Sequence, residues 1–145
     1  MVGRTPHGKR FETIPGVGPI TAAELSTKLA DPTVFKNGRA FAAFLGLVPG
    51  HTGSGGKTIN LGITKRGDRR LRALLVECAY CRARSKIKEN WVVSIQERKP
   101  RKVAAVAIAA HITRTAWALA AHETEFKTMP LKNRLVTTQT TATAL

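Results

Sequence analysis

The sequence predicts a mostly α-helical domain, and three observations carry that prediction. Apolar residues recur at helical spacing over most of residues 19–123. Asp31-Pro32, Asn37, Asp68 and Pro100 stand where such segments must start or stop. The periodicity lapses at residues 50–58 (GHTGSGGKT), where Gly50, Gly53, Gly55 and Gly56 surround one serine, Ser54. At 145 residues the chain is long enough for one domain with a real core.

Taken in order, residues 1–10 read as a flexible arm. Residues 11–18, FETIPGVG, approach a Gly-x-Gly turn, and Pro19 suits a first helical position. In the helix predicted over 19–30, Ala22, Leu25 and Leu29 mark a core face, and Asp31-Pro32 ends it. Asn37 caps a second helix, in which Ala40, Phe41, Phe44 and Leu45 share one side and Gly46 closes the end. The glycine loop follows. Residues 58–63 (TINLGI) form an extended piece, at most one arm of a short β-hairpin. Asp68 caps a third helix that turns Leu71, Leu74, Leu75 and Cys78 inward and Arg69, Arg70 and Arg72 outward. Trp91, Val92 and Ile95 mark a short helix before Pro100. Residues 103–123 make the longest helix, with Val106, Ala110, Thr113 and Trp117 in helical register and alanines that admit a close neighbour. The domain therefore spans residues 11–126. Residues 127–145, ending in TTQTTATAL, are expected to be a disordered tail.

Lysine and arginine number 24 against 9 aspartate and glutamate, a formal charge of +15. That surplus calls for a polyanionic partner, nucleic acid first. A membrane surface fits poorly, because the cations do not line one long amphipathic helix. Residues 1–10 lack the apolar run of a signal peptide, and the most apolar stretch, residues 103–112, is too short to span a bilayer. A soluble, cytoplasmic chain is expected. Cys78 and Cys81 form a C-x-x-C that is too small for a closed zinc site and lies inside a helical pattern, so both are expected to be buried free thiols. The carboxylates are scattered, and no metal site is expected in this chain.

Three motifs carry chemistry. The segment IPGVGPITAAEL, residues 14–25, resembles the hairpin of helix-hairpin-helix modules. There, backbone N–H groups beside two glycines, here Gly16 and Gly18, hold a DNA phosphate at a helix N-terminus. HTGSGGKT nearly reads as a nucleotide-binding P-loop, but His51 stands where the first glycine is required, and TINLGI follows where a helix should. Nucleotide binding is therefore rejected. Ser54 is by itself an ordinary turn residue, and a serine nucleophile needs a base, a metal or surrounding cations. His51 lies nearby in sequence. Gly55 and Gly56 let the main chain approach a ligand, while Lys57, Lys65, Arg66, Arg69, Arg70 and Arg72 make phosphate the natural one.

In combination, IPGVGPITAAEL, then FKNGRAFAAFLGLVPGHTGSGGKTINLGITKRGDRRLRALLVECA, then RKPRKVAAVAIAAHITRTAWAL resemble the C-terminal half of the IS one-ten insertion-sequence transposases, over residues 11–126. The resemblance implies a DNA recombinase domain whose serine attacks a phosphodiester and holds it as a phosphoserine link. That serine falls on Ser54. It further implies DNA, a structured guide RNA and a homo-oligomer as partners, and a bacterial or archaeal, nucleoid-associated location. Mg2+ is implied through an acidic RNase H-like domain that this sequence does not display. A truncated form, inactive alone, is the expectation. The alternatives are a non-catalytic helix-hairpin-helix-type nucleic-acid-binding module and a small ribosome-type RNA-binding protein.

Overall fold

The computed structural model describes residues 6–54, 57–86 and 89–126. The chain runs through α1 (Pro6–Glu12), α2 (Pro19–Lys28), a 3-10 turn (Pro32–Val34), α3 (Gly38–Phe44), β1 (Pro49–Ser54), β2 (Lys57–Ile63), α4 (Arg69–Arg84), α5 (Asn90–Arg98) and α6 (Arg101–His122). The mostly helical prediction holds, and the lapse in periodicity is a two-stranded antiparallel hairpin. Local chemistry sets several boundaries. The Asn37 side chain accepts from the Ala40 N–H at 2.8 Å, Asp68 from the Leu71 N–H at 3.0 Å, and Asp31 from the Thr33 N–H at 3.0 Å.

The core is built around α6, which packs most extensively on α4 and α3. Ile108, Ala109, Ile112 and Ala116 of α6 are wholly buried, together with Leu71 and Leu75 of α4, Leu25 of α2 and Phe41 of α3. The alanines let the α4 and α6 backbones approach closely, as the sequence implies. The residues that keep helical register on α6 do not all face inward, however: Thr113 is buried. Val106 and Ala110 are only half-buried, because this helix is apolar nearly all round and periodicity alone does not choose its core side. At 22 residues α6 also exceeds the short apolar stretch seen in the sequence, at about 33 Å. By length and composition it could cross a membrane, but half of its apolar window is buried in this fold, where it serves as the core helix.

Four expectations need correction. The sequence places residues 6–10 in a flexible arm, yet they belong to α1. A helix this short is unstable alone; it is held because Phe11 is fully buried and because the Phe126 N–H donates to the Thr13 hydroxyl at 2.9 Å. Leu74, expected to turn inward with Leu71, Leu75 and Cys78, is only half-buried and lies outside the core cluster. Cys78 is buried, but Cys81 lies on the exposed side of α4, three positions on. Arg72 does not point freely outward: its Nη1 donates to the carbonyls of Leu45 and Arg66, both at 3.3 Å. The expected tail, residues 127–145, lies outside the described residues, as do residues 1–5.

One core position is occupied by a cation. Arg82 continues the buried stripe of Leu71, Leu75 and Cys78 and is 3% exposed. It pairs with Glu89 and lies over the Trp91 ring at 5.5 Å and the Phe126 ring at 5.8 Å. Glu89 also accepts from the Trp91 indole N–H at 2.8 Å, and the His111 ring sits 4.3 Å from Trp91. Pairing and aromatic faces together let a guanidinium occupy this site, although its Nη1 is buried without a hydrogen-bond partner among the described residues.

Candidate nucleic-acid interface

The hairpin positions Ser54. In its register His51 pairs with Asn60, Thr52 with Ile59, Gly53 with Thr58 and Ser54 with Lys57, after an irregularity between Pro49 and His51. Ser54 and Lys57 are therefore opposed at the distal end of the ribbon. Gly55 and Gly56, both predicted to contact a ligand, lie between them and outside the described residues. Lys57 opens a strand, where a P-loop lysine opens a helix.

The base of the hairpin is clamped main chain to main chain. The Thr64 N–H donates to Val48 O and the Lys65 N–H to Gly46 O, both at 3.1 Å. Gly46 has φ +73° and Gly67 φ +88°, and a Cβ at either would overlap the backbone of the facing segment, Arg66 for the first and Phe44 for the second. Lys65 itself adopts φ +56°, an uncommon conformation for a residue with a side chain, held by these contacts. The clamp fixes the loop bearing Lys65 and Arg66, both exposed, immediately before α4.

At the start of α4, Arg69 and Arg70 are exposed. Two carboxylates lie close by, and both are engaged. Arg70 Nη2 is 3.5 Å from Glu24, and Lys28 Nζ is 3.3 Å from Asp68. The Leu71 N–H, followed by the Lys28 ammonium, holds the Asp68 carboxyl below its ordinary pKa, with burial opposing. Lys65, Arg66 and Arg69 make no ion pair among the described residues, so they remain open to an external anion.

The α1–α2 turn is a separate feature. Gly16 has φ +90°, and a Cβ there would stand 2.6 Å from the Cys78 carbonyl of α4. Gly18 caps α2 in extended conformation, with no atom within 4 Å of the position a Cβ would take. The two salt bridges bring the C-terminal half of α2 to the start of α4, whereas Gly16 abuts Cys78 and Arg82 further along that helix. The glycine turn and the basic loop thus occupy opposite ends of α2, about 15 Å apart. They are two contact points and not one pocket. That spacing corresponds to roughly four base-pair steps of duplex DNA.

Sequence reasoning missed the cations Arg39, Lys102 and Arg114, which rim a groove beside α6, and the buried Arg82. Arg82 had a signal in its spacing from Leu75 and Cys78. Among the described residues no group of three or more His, Cys, Asp or Glu could hold a metal ion; the resemblance implies Mg2+ through the acidic domain and not through these residues.

The model of the transposase IS116/IS110/IS902 family matches residues 8–92, from α1 through the hairpin and basic loop into α5. The chain belongs to this family. Among curated proteins, a putative transposase (y4pF/y4sB) of Sinorhizobium fredii is 43% identical over 118 residues, 77% of this chain and 30% of that protein. The transposase for insertion sequence element IS1328 of Yersinia enterocolitica is 42% identical over 123 residues, 81% of this chain and 37% of that one. A probable family 20 transposase of Pseudomonas aeruginosa is 36% identical over 124 residues, 82% and 37% respectively. The chain thus spans about a third of the length of the transposases it matches.

Proposed function

We propose that this chain is the DNA-binding serine domain of an insertion-sequence transposase, acting in DNA transposition with Ser54 as nucleophile. The observation that carries the reading is the hairpin register, which opposes Ser54 and Lys57 at the end of a ribbon whose base is clamped to a loop of cations with no ion pair among the described residues. In this reading the Ser54 hydroxyl loses its proton to solvent as its oxygen bonds to a DNA phosphorus, the bond from that phosphorus to the leaving strand's oxygen breaks, and that oxygen takes up a proton from solvent. Lys57, Lys65, Arg66, Arg69 and Arg70 stabilise the added phosphorane charge. The N–H groups beside Gly16 and Gly18 hold a second phosphate at the start of α2. Such contacts position a duplex and leave sequence choice to another component. A structured RNA, within a homo-oligomer on the nucleoid, would fill that role.

A non-catalytic binding module is the second reading. It is favoured by the separation of the glycine turn from the basic loop, which offers two phosphate contacts that need no serine chemistry. One assay separates the two. The chain alone is expected to bind duplex DNA without cutting it. Combined with the acidic domain of a family member and a matching RNA, it is expected to form a protein–DNA adduct that survives denaturant. Ser54→Ala should abolish the adduct and leave DNA affinity nearly unchanged. Equal adduct formation with alanine at this position makes Ser54 a turn residue and removes the catalytic reading.

A further inference from the structure

The side of α6 that turns away from the core floors a groove of about 720 Å³, closed by α3 and the segments at the base of the hairpin. Val103, Val106 and Ala110 of α6 and Ile63 of β2 give it an apolar floor, and Val103 is 50% exposed. Arg39, Lys102 and Arg114 stand on its rim, all exposed and none in an ion pair among the described residues. Among the described residues no carboxylate and no aromatic ring lines it. The walls are fixed, because a Cβ at Gly38 of α3 would come within 3.1 Å of the Arg114 backbone of α6.

We propose that this groove docks an amphipathic α-helix of a partner protein, one whose apolar stripe is flanked by aspartate and glutamate. Apolar side chains at i, i+3, i+4 and i+7 would enter the floor, the usual way a helix fills such a groove. The carboxylates would meet the three rim cations, and this charge complementarity selects the occupant. Nucleic acid is disfavoured, because single strands are held by stacking on aromatic platforms and the described lining residues supply none. This chain's own residues 127–145 carry Lys127, Lys132 and Arg134 and no aspartate or glutamate, and a second copy brings the same +15 charge. Both would be repelled by the rim. The inference stands independently of the role of Ser54.

The test is fluorescence anisotropy of the full chain with a labelled synthetic helix of about 15 residues, the length at which an isolated helix becomes tenable. The peptide carries a leucine stripe with glutamates on both flanks. Saturable binding is expected. Arg39→Glu, Lys102→Glu and Arg114→Glu together should weaken it by about tenfold or more, from three reversed surface pairs. Val103→Asp, at an exposed position, should weaken it comparably, with circular dichroism confirming the fold. Reversing Arg69 and Arg70 should leave it unchanged, which separates the groove from bulk charge. The proposal is overturned if the peptide with its leucines replaced by serine binds equally well. It is also overturned if the triple variant loses duplex DNA but keeps the peptide, since the rim would then be a nucleic-acid contact.

Discussion

Replacing Gly16 and Gly18 one at a time by alanine separates architecture from ligand contact at the α1–α2 turn. Gly16 sits at φ +90° with the Cys78 carbonyl 2.6 Å and Arg82 Cβ 3.1 Å from where its own Cβ would be. The left-handed backbone costs an alanine about 1–2 kcal/mol. The carbonyl belongs to the α4 backbone and cannot swing aside, so relief requires lifting the turn from the helix. Together these effects come to about 3 kcal/mol, or a melting temperature lowered by roughly 10 °C in a chain of this length. Gly18 has φ −94° and ψ 178°, which any residue adopts, and open space where a Cβ would go. Alanine there should cost less than about 1 kcal/mol, the scale of an N-cap preference. If a phosphate approaches Gly18 closely, the same methyl should weaken DNA binding about threefold to tenfold, the worth of one hydrogen bond. Thermal circular dichroism and fluorescence anisotropy read the two effects on the same samples. A Gly16→Ala variant that melts with wild type, or a Gly18→Ala variant that unfolds, refutes the reasoning.

Two further outcomes follow from the geometry. Burial, then the charges of Arg82 and Arg114, holds the His111 pKa below its ordinary 6.5. The unfolded chain therefore takes up the proton first, so this contribution to stability is complete above about pH 6.5 and declines as the pH falls below it. Burial pushes the Glu89 carboxyl up, but hydrogen bonds from Trp91 and Arg82 outweigh it and hold the group below 4.5, which adds a second loss in stronger acid. Melting temperatures between about pH 7 and pH 5 should fall, and His111→Gln should flatten that fall; an unchanged slope excludes His111 as its source. Calorimetry with ATP and magnesium should show no binding, because Lys57 begins a strand and not the helix that phosphate cradling needs. Micromolar affinity lost in Lys57→Ala would reverse that conclusion.

Where one side chain acts on its own neighbourhood, the sequence is readable. Asn37 and Asp68 cap the helices their positions imply, and Gly46 ends α3 at positive φ. Leu25, Leu29, Phe41, Leu71 and Leu75 are buried as their spacing implies. Features that depend on distant contacts are not readable. The seven residues of α1 owe their helix to Phe11 burial and to Phe126 arriving from the other end of the domain. The core face of α6 is not set by its spacing, because Val103, Val106, Ile108 and Ile112 leave no polar side to reveal the buried one, and the apolar remainder floors the groove. The cations of residues 65–70 are evident from composition. That Arg72 braces the Leu45 carbonyl, and that Arg70 is engaged by Glu24, requires the packing of α2 and α3 on α4. The glycine-rich segment offers no face alternation from which to set a hairpin register.

The salt dependence of duplex DNA affinity tests the central claim most directly. If Lys65, Arg66, Arg69 and their neighbours neutralise phosphates, log affinity must fall linearly with log salt by about 0.9 per contact. Arg66→Ala with Arg69→Ala should make that slope shallower by about two contacts' worth, since neither cation is engaged by a carboxylate among the described residues. An affinity that ignores salt, or an absence of binding at low salt, contradicts the account.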